Sequence, residues 1–324
     1  MEIWKNILIK TFFYEKVPKK LKLLGAILKY VKMPQKLYKY YSFDDKGYHL
    51  DSFKNNKIWL SNPENFNDPY DCLLSFTGEK LFNALIRTRE NVVFELFENT
   101  NLKFTESEKN QIRKAKQPLK KIQEIIIKNE LSREYEIIDE KLLNNIVYET
   151  DDSHIFEDLG SIINNIHYQG STVIRCFSEI NNSILMWSHY AENHKGFCLE
   201  YDFKTLGINH EINVNLFPVI YRPKLFNIDK HLFNNDNSLN YFSFILAAIH
   251  KSKEWEYEKE WRLIFPLKNA EQLYDVPYPT KVIAGAKITE QNKALIKDVS
   301  QENNLPFYQA VINNQNFQIN FKKN

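Results

Sequence analysis

The sequence predicts an α+β fold, and three observations carry that prediction. Strand-like segments fill the outer thirds of the chain, a long run of helical periodicity fills the middle, and the eight glycines form no GxG. The first two describe helices segregated from a sheet rather than alternating with its strands. The third removes the glycine-rich phosphate cradles of dinucleotide-binding and P-loop folds.

Taken in order, residues 1–33 are a lysine-rich, partly amphipathic segment in which Lys5, Lys10, Lys16, Lys19, Lys20, Lys22, Lys29 and Lys32 sit among Leu, Ile and Phe. It reads as a helical extension, with a membrane-surface anchor as the alternative. Pro34 ends it. "KLYKYYSF", 36–43, is dense in aromatics and predicts a strand; a short helix around Tyr48 to Asn55 and a strand "KIWLSN" follow. "PENFNDPYD", 63–71, is turn chemistry, because the residue before proline is driven out of the helical region. From about 79 to 166 helical periodicity and charge dominate, which predicts an all-helical insertion in a single α+β domain spanning 34–324.

Strand character returns with "STVIRCFSE". "ILMWSHYAENHKGFCLEYDF" predicts a short helix, a turn at Gly196 and a strand, and "NLFPVIYRP" a further strand. "LNYFSFILAAIHKSKEW" predicts an apolar helix that continues through residues 250–255. "TKVIAGAKITEQNKALIKDV" then gives strand, turn and helix, and "PFYQAVINNQNFQINF" a closing hairpin.

Composition narrows the function. The 324 residues are 43% hydrophobic and 14% aromatic, enough for a sizeable core. Lys plus Arg number 43 against 41 acidic residues, so the total charge gives no reason to wrap nucleic acid. Cys72, Cys176 and Cys198 form neither a CxxC pair nor an even framework, which fits reduced thiols in a cytoplasmic protein. The longest apolar runs, such as "LLGAIL", are far shorter than the roughly 20 residues of a transmembrane helix.

The segment with the most chemistry is "EWEYEKEWRLIF", 254–265, with a glutamate at every second position from Glu254 to Glu260 and then Arg262. On a strand these would share one face. If the preceding helix extends to residue 255, the same-face set reduces to Glu258, Glu260 and Arg262. An ion pair on an open sheet face is the simpler account, worth at most about 1 kcal/mol. In "MWSHYAENH", His189 and His194 are five apart, about 140° round a helix, and do not converge as the i, i+4 pair of a zinc protease would. A structural histidine near a turn is the simpler account, with a metal site of His189, Glu192 and His194 as the alternative. Trp187 and Tyr190 in the same stretch offer flat faces to a heterocycle. Asn67 and Asp68, in "NDP", are either a structural turn or one polar wall of a site. Cys176 lacks the surroundings that make a thiol nucleophilic.

"LYKYYS" with "IWLSNPENFNDPYD", then "CFSEINNSILMWSHYAENHKGFCLEYD", then "KEWEYEKEWRLI" together resemble the bacterial domain of unknown function 2971 family. The resemblance runs from Lys36 to about Phe321, apart from the helical insertion. More distantly, the pattern is similar to DarT-type toxins and other ADP-ribosyltransferase folds, placing Lys39 and Tyr40 on a first motif, Phe177 and Ser178 on a second and Glu260 on a third. That likeness implies a split mixed or antiparallel sheet, NAD as co-substrate, an unidentified protein or nucleic-acid acceptor, and a setting in bacterial defence or toxin biology. It implies catalytic roles for Glu260, Glu258 and Ser178. Cofactor contacts are expected from Lys39, Tyr40, Asn67, Asp68, Trp187, His189, Tyr190 and Arg262. Related sequences often carry histidine where this one has Lys39; an ammonium donates to a hydroxyl or phosphate oxygen but accepts nothing. The rival expectations are a non-catalytic nucleotide- or protein-binding module, and a nucleic-acid hydrolase whose basic groove would draw on the lysines between 114 and 121.

Overall fold

The computed structural model describes residues 34–75, 86–87, 90–99, 103–132, 172–207, 210–227, 242–266 and 272–324. The predicted extension over 1–33 and much of the predicted insertion lie outside the described residues. In chain order the elements are β1 (Leu37–Tyr41), α1 (Tyr48–Lys54), β2 (Lys57–Leu60), β3 (Leu74–Ser75), α2 (Glu90–Asn99), α3 (Glu106–Lys114) and α4 (Pro118–Ser132). There follow β4 (Thr172–Ser178), α5 (Ile184–Tyr190), β5 (Phe197–Tyr201), α6 (Glu211–Val214), β6 (Leu216–Pro218), β7 (Ile220–Arg222) and β8 (Phe226–Asn227). The last third holds α7 (Phe242–Ile249), β9 (His250–Ser252), β10 (Glu260–Pro266), β11 (Gln272–Asp275), β12 (Lys281–Ala284), α8 (Glu290–Glu302), β13 (Phe307–Ile312) and β14 (Ile319–Lys323).

The chain divides into two compact units, one within Met1–Cys72, Tyr168–Leu225 and Phe244–Asn324, the other within Leu73–His167 and Phe226–Ser243. The first is built on an eight-stranded mixed sheet of order β14-β13-β12-β5-β1-β4-β10-β6. Its one parallel pairing, β12 with β13, is connected through α8; its other pairings are antiparallel. Middle strands are covered on both faces and read as unbroken apolar runs: all five residues of β5, "FCLEY", are buried. Glu200 is tolerated there because Lys281 and Thr280 donate to its carboxylate at 2.7 and 2.8 Å. Gly196 enters β5 so close to β1 that a Cβ would lie 2.0 Å from the Tyr41 carbonyl oxygen.

The second unit contributes α2, α3 and α4 and a short parallel pair of β3 with β8. Thr105 caps α3 with a reciprocal bond to Glu108, a capping box that fixes where the helix starts. Among the described residues no helix is long and apolar enough to cross a membrane.

The mixed sheet with its helices agrees with the α+β expectation. Three local expectations need correction. The α-helix does not continue through residues 250–255: α7 stops at Ile249, His250–Ser252 pairs with β7 as β9, and Lys253–Glu258 winds as a separate 3-10 helix. "NLFPVIYRP" is not one strand but two, breaking at Val219 so that β6 joins the large sheet while β7 pairs with β9. Glu258 lies at the end of the 3-10 turn, so it is not a strand neighbour of Glu260.

Candidate active site

Tyr38, Ser178 and Glu260 lie opposite one another across β1, β4 and β10, so their side chains share a face of the sheet. β4 and β10 stay in register along all seven residues of β10. β1 and β4 hold register only at Tyr38 and Ser178, whereas β1 holds all five of its residues against β5. The sheet therefore parts between two of its middle strands. At that parting lies a hollow of about 370 Å³, within the usual size range of small-molecule sites. Lys39, Tyr40, Arg175, Cys176, Ser178 and Glu260 reach it from the strands, Asn65 and Asn67 from the turn after β2, and His189 and Tyr190 from α5.

Beneath the hollow is a buried charge network. Arg262, with no exposed surface, grips Asp71 through both terminal nitrogens at 2.7 and 2.6 Å. Its Nε and Nη2 hold Glu260 at 2.7 and 3.1 Å, and Nη1 also donates to the Ala248 carbonyl at 2.7 Å. Such forked contacts need a planar guanidinium. Lys251 Nζ stands between three carboxylates, 2.6 Å from Glu258, 3.1 Å from Glu260 and 3.5 Å from Asp71. Tyr190 donates its hydroxyl to the second Glu258 oxygen at 2.5 Å. Glu258 turns toward this network because Lys259, at φ 48°, takes a left-handed conformation between the 3-10 turn and β10.

Two cations face three carboxylates, and one carboxylate is surplus. Burial, and then the Glu260 charge, push the Glu258 carboxyl up to about 7, with Lys251 opposing. Burial pushes Glu260 the same way, but Arg262 and Lys251 outweigh it and hold that carboxyl well below the usual range. A neutral-to-basic carboxyl thus sits beside a permanently ionised one, the division of labour that separates acid–base from electrostatic roles. Cys176, against Glu260, has its thiol pushed up to about 12 by burial and by that charge, so it is no nucleophile. Among the described residues no group of three or more His, Cys, Asp or Glu is arranged to hold a metal ion.

The residues expected from sequence take several positions. Lys39, Tyr40, Asn67, Ser178, His189, Tyr190, Glu258 and Glu260 all line the hollow. Tyr40 donates to the Ile180 carbonyl at 2.9 Å, and His189 Nδ1 meets the Tyr257 hydroxyl at 2.9 Å. Ser178 donates to the Glu258 carbonyl at 2.6 Å and accepts from the Ile180 amide at 3.2 Å, so its hydroxyl pins the strand end. Three expected contacts sit elsewhere. Trp187 is fully buried, its indole donates to the Asn181 carbonyl at 2.7 Å, and its ring packs edge-on against Tyr40 in the core, out of reach of a stacking ligand. Arg262 lies behind Glu260 rather than on the wall. Asp68 is a buried turn residue accepting from the Tyr70 amide at 2.9 Å.

Sequence reasoning missed Asp71, Lys251 and Arg175. Asp71 and Lys251 sit inside segments singled out for other reasons, and only the folded chain brings them to Arg262 and Glu260. Arg175 had a weak signal as a charge inside an otherwise apolar strand.

Comparison with known proteins bears on part of this site. Residues 186–263 match the family described as Protein of unknown function (DUF2971). The matched stretch carries Tyr190, Lys251, Glu258, Glu260 and Arg262, the α5 and β10 side of the hollow, while Lys39, Asp71, Arg175 and Ser178 fall outside it. No curated protein and no solved structure matches the chain.

Proposed function

We propose that the hollow is the active site of an enzyme that transfers ADP-ribose from NAD to a macromolecular acceptor. The observation that carries this reading is the pair of carboxylates at the hollow, one titrating near neutrality and one held ionised. Cleaving the nicotinamide–ribose bond sends the bonding pair out with neutral nicotinamide and leaves positive charge on the ribose, as in glycoside cleavage. Glu260, fixed by Arg262 and Lys251, is a preorganised anion facing that charge. Glu258 takes the proton from the acceptor hydroxyl as its oxygen bonds to the ribose carbon. Tyr190 and Lys251 hold the Glu258 oxygens, and Ser178 fixes the backbone that presents them.

The test is nicotinamide release from NAD, with water as the default acceptor. Release should rise with pH through about 7, because Glu258 works as a base only once ionised. Glu258→Gln should lower the rate by about 100-fold or more and flatten the pH profile. It should not unfold the protein. A carboxyl whose folded pKa is raised stabilises below its unfolded value and loses that contribution as pH rises through the folded one, so the amide should match or exceed the parent in melting temperature above pH 7. Absence of nicotinamide release by the folded parent, or an unchanged rate and pH profile in Glu258→Gln, defeats the reading. Binding of ADP-ribose without any release would assign the chain to the non-catalytic, nucleotide-binding alternative.

A further inference from the structure

Two half-buried cations at the parting of the sheet have no carboxylate partner among the described residues. Among the described residues Lys39 makes no hydrogen bond or ion pair, and Arg175 only lays its guanidinium 5.4 Å from the Tyr41 ring centre, with a buried and unpaired Nε. By contrast the buried cations behind the hollow, Lys251 on β9 and Arg262 on β10, are each held by two or more carboxylates. Each of the first two lines the hollow, and the Arg175 charge is the strongest one acting on Lys39. Arg175 and Ser61 also line a second, broader hollow of about 940 Å³, where Tyr48 and Trp59 are 63% and 40% exposed. The two hollows therefore meet at Arg175.

We infer that Lys39 and Arg175 form a subsite for the diphosphate of a nucleotide donor, between a ribose held in the deep hollow and a base lying against Trp59 and Tyr48 in the broad one. This rests on reading the deep hollow as the ribose site. An unpaired guanidinium presents forked donors that match phosphate oxygens, and an adjacent ammonium adds a point charge. Flat exposed aromatic faces suit a base. A bound dianion would supply the direct counter-charge that no described residue gives either cation.

Lys39 gives the subsite a pH signature. Burial first, and then the Arg175 charge, push its ammonium down to about 7. Its charged surroundings are Arg175 and Cys176 on β4, Glu260 on β10, Glu258 in the preceding turn, His49 on α1 and Cys198 on β5. With only the ammonium form binding an anion, affinity should fall about tenfold between pH 6 and pH 8.

The experiment is calorimetric titration with ADP-ribose, whose diphosphate keeps its charge over this range, with adenosine as the phosphate-free control. The parent should bind ADP-ribose at least tenfold more tightly than adenosine. Lys39→Met and Arg175→Gln should each weaken ADP-ribose at least tenfold and leave adenosine unchanged. Measured in a Glu258→Gln background, where the neighbouring carboxyl no longer titrates, Lys39→Met should also abolish the pH dependence, whereas Arg175→Gln should move it to higher pH. Both variants should melt no lower than the parent at pH 7, since each removes an unpaired charge. Variants that bind ADP-ribose within twofold of the parent, or equal binding of ADP-ribose and adenosine by the parent, overturn the subsite. A single-stranded oligonucleotide that binds where ADP-ribose does not also overturns it, giving the cations to an acceptor's phosphates. The two readings fail separately: tight ADP-ribose binding without nicotinamide release removes only the catalysis, and nicotinamide release without charge-dependent ADP-ribose binding removes only the subsite.

Discussion

Arg262 decides whether the carboxylates at the hollow can be close together at all. Its guanidinium saturates Asp71 and Glu260 at once while fully buried, and removing one partner of such a network leaves the others uncompensated. Arg262→Met should therefore lower unfolding free energy by about 3–5 kcal/mol in urea titrations. Arg262→Lys should recover little of it, because an ammonium cannot make two forked contacts. Equal stability of the parent and Arg262→Met would show that the network is not a structural support. The alternation of residues 258–262 made Glu260 and Arg262 legible from sequence as a same-face pair. Their partner Asp71 was not, since it lies 191 positions away and no local pattern encodes that contact.

Among the elements, the join between the 3-10 turn and β10 is the one that shapes the site. Lys259 takes a left-handed conformation that side chains other than glycine disfavour by about 1–2 kcal/mol, and that turn swings Glu258 back to Lys251. Lys259→Gly should gain about 0.5–1 kcal/mol and keep the site intact, while Lys259→Val should lose about 1–2 kcal/mol, both read from chemical denaturation. If valine were as stable as lysine here, the turn would not be strained as described. Most element types were legible, because β1, β4, β5, α8 and the β13–β14 hairpin have strong local patterns. The failures share a cause. "FSFILAAIHKS" carries a helix-forming run without a stop signal, yet His250–Ser252 pairs with β7, and long-range pairing overrides local propensity. Likewise Val219, whose amide bonds to the Glu260 carbonyl at 2.9 Å, breaks a stretch of continuous strand character.

At the scale of the whole molecule, the parting between β1 and β4 places a ligand-sized hollow inside a sheet that is otherwise zipped. Alternation and composition forecast a sheet with helices, but not this parting, since strand order and register come from contacts between distant segments. Amide hydrogens of β1 and β4 that face each other across the gap should exchange at least tenfold faster than those of β4 facing β10, although both sets lie mid-sheet. Uniform protection across β4 would mean the strands are bridged after all. Ser61 bridges Ile174 at one end of the opening and Tyr38 faces Ser178 at the other, leaving a short partly unpaired strand border between them. Such a border attracts any extended peptide that drifts past, and proteins commonly guard it with charge. Lys39 and Arg175 stand on the two lips of this one. By making intrusion by another chain electrostatically and sterically unwelcome, they would keep the slot vacant for a small anionic visitor, so a doubly neutralised protein would be sturdier in the test tube and more prone to clump.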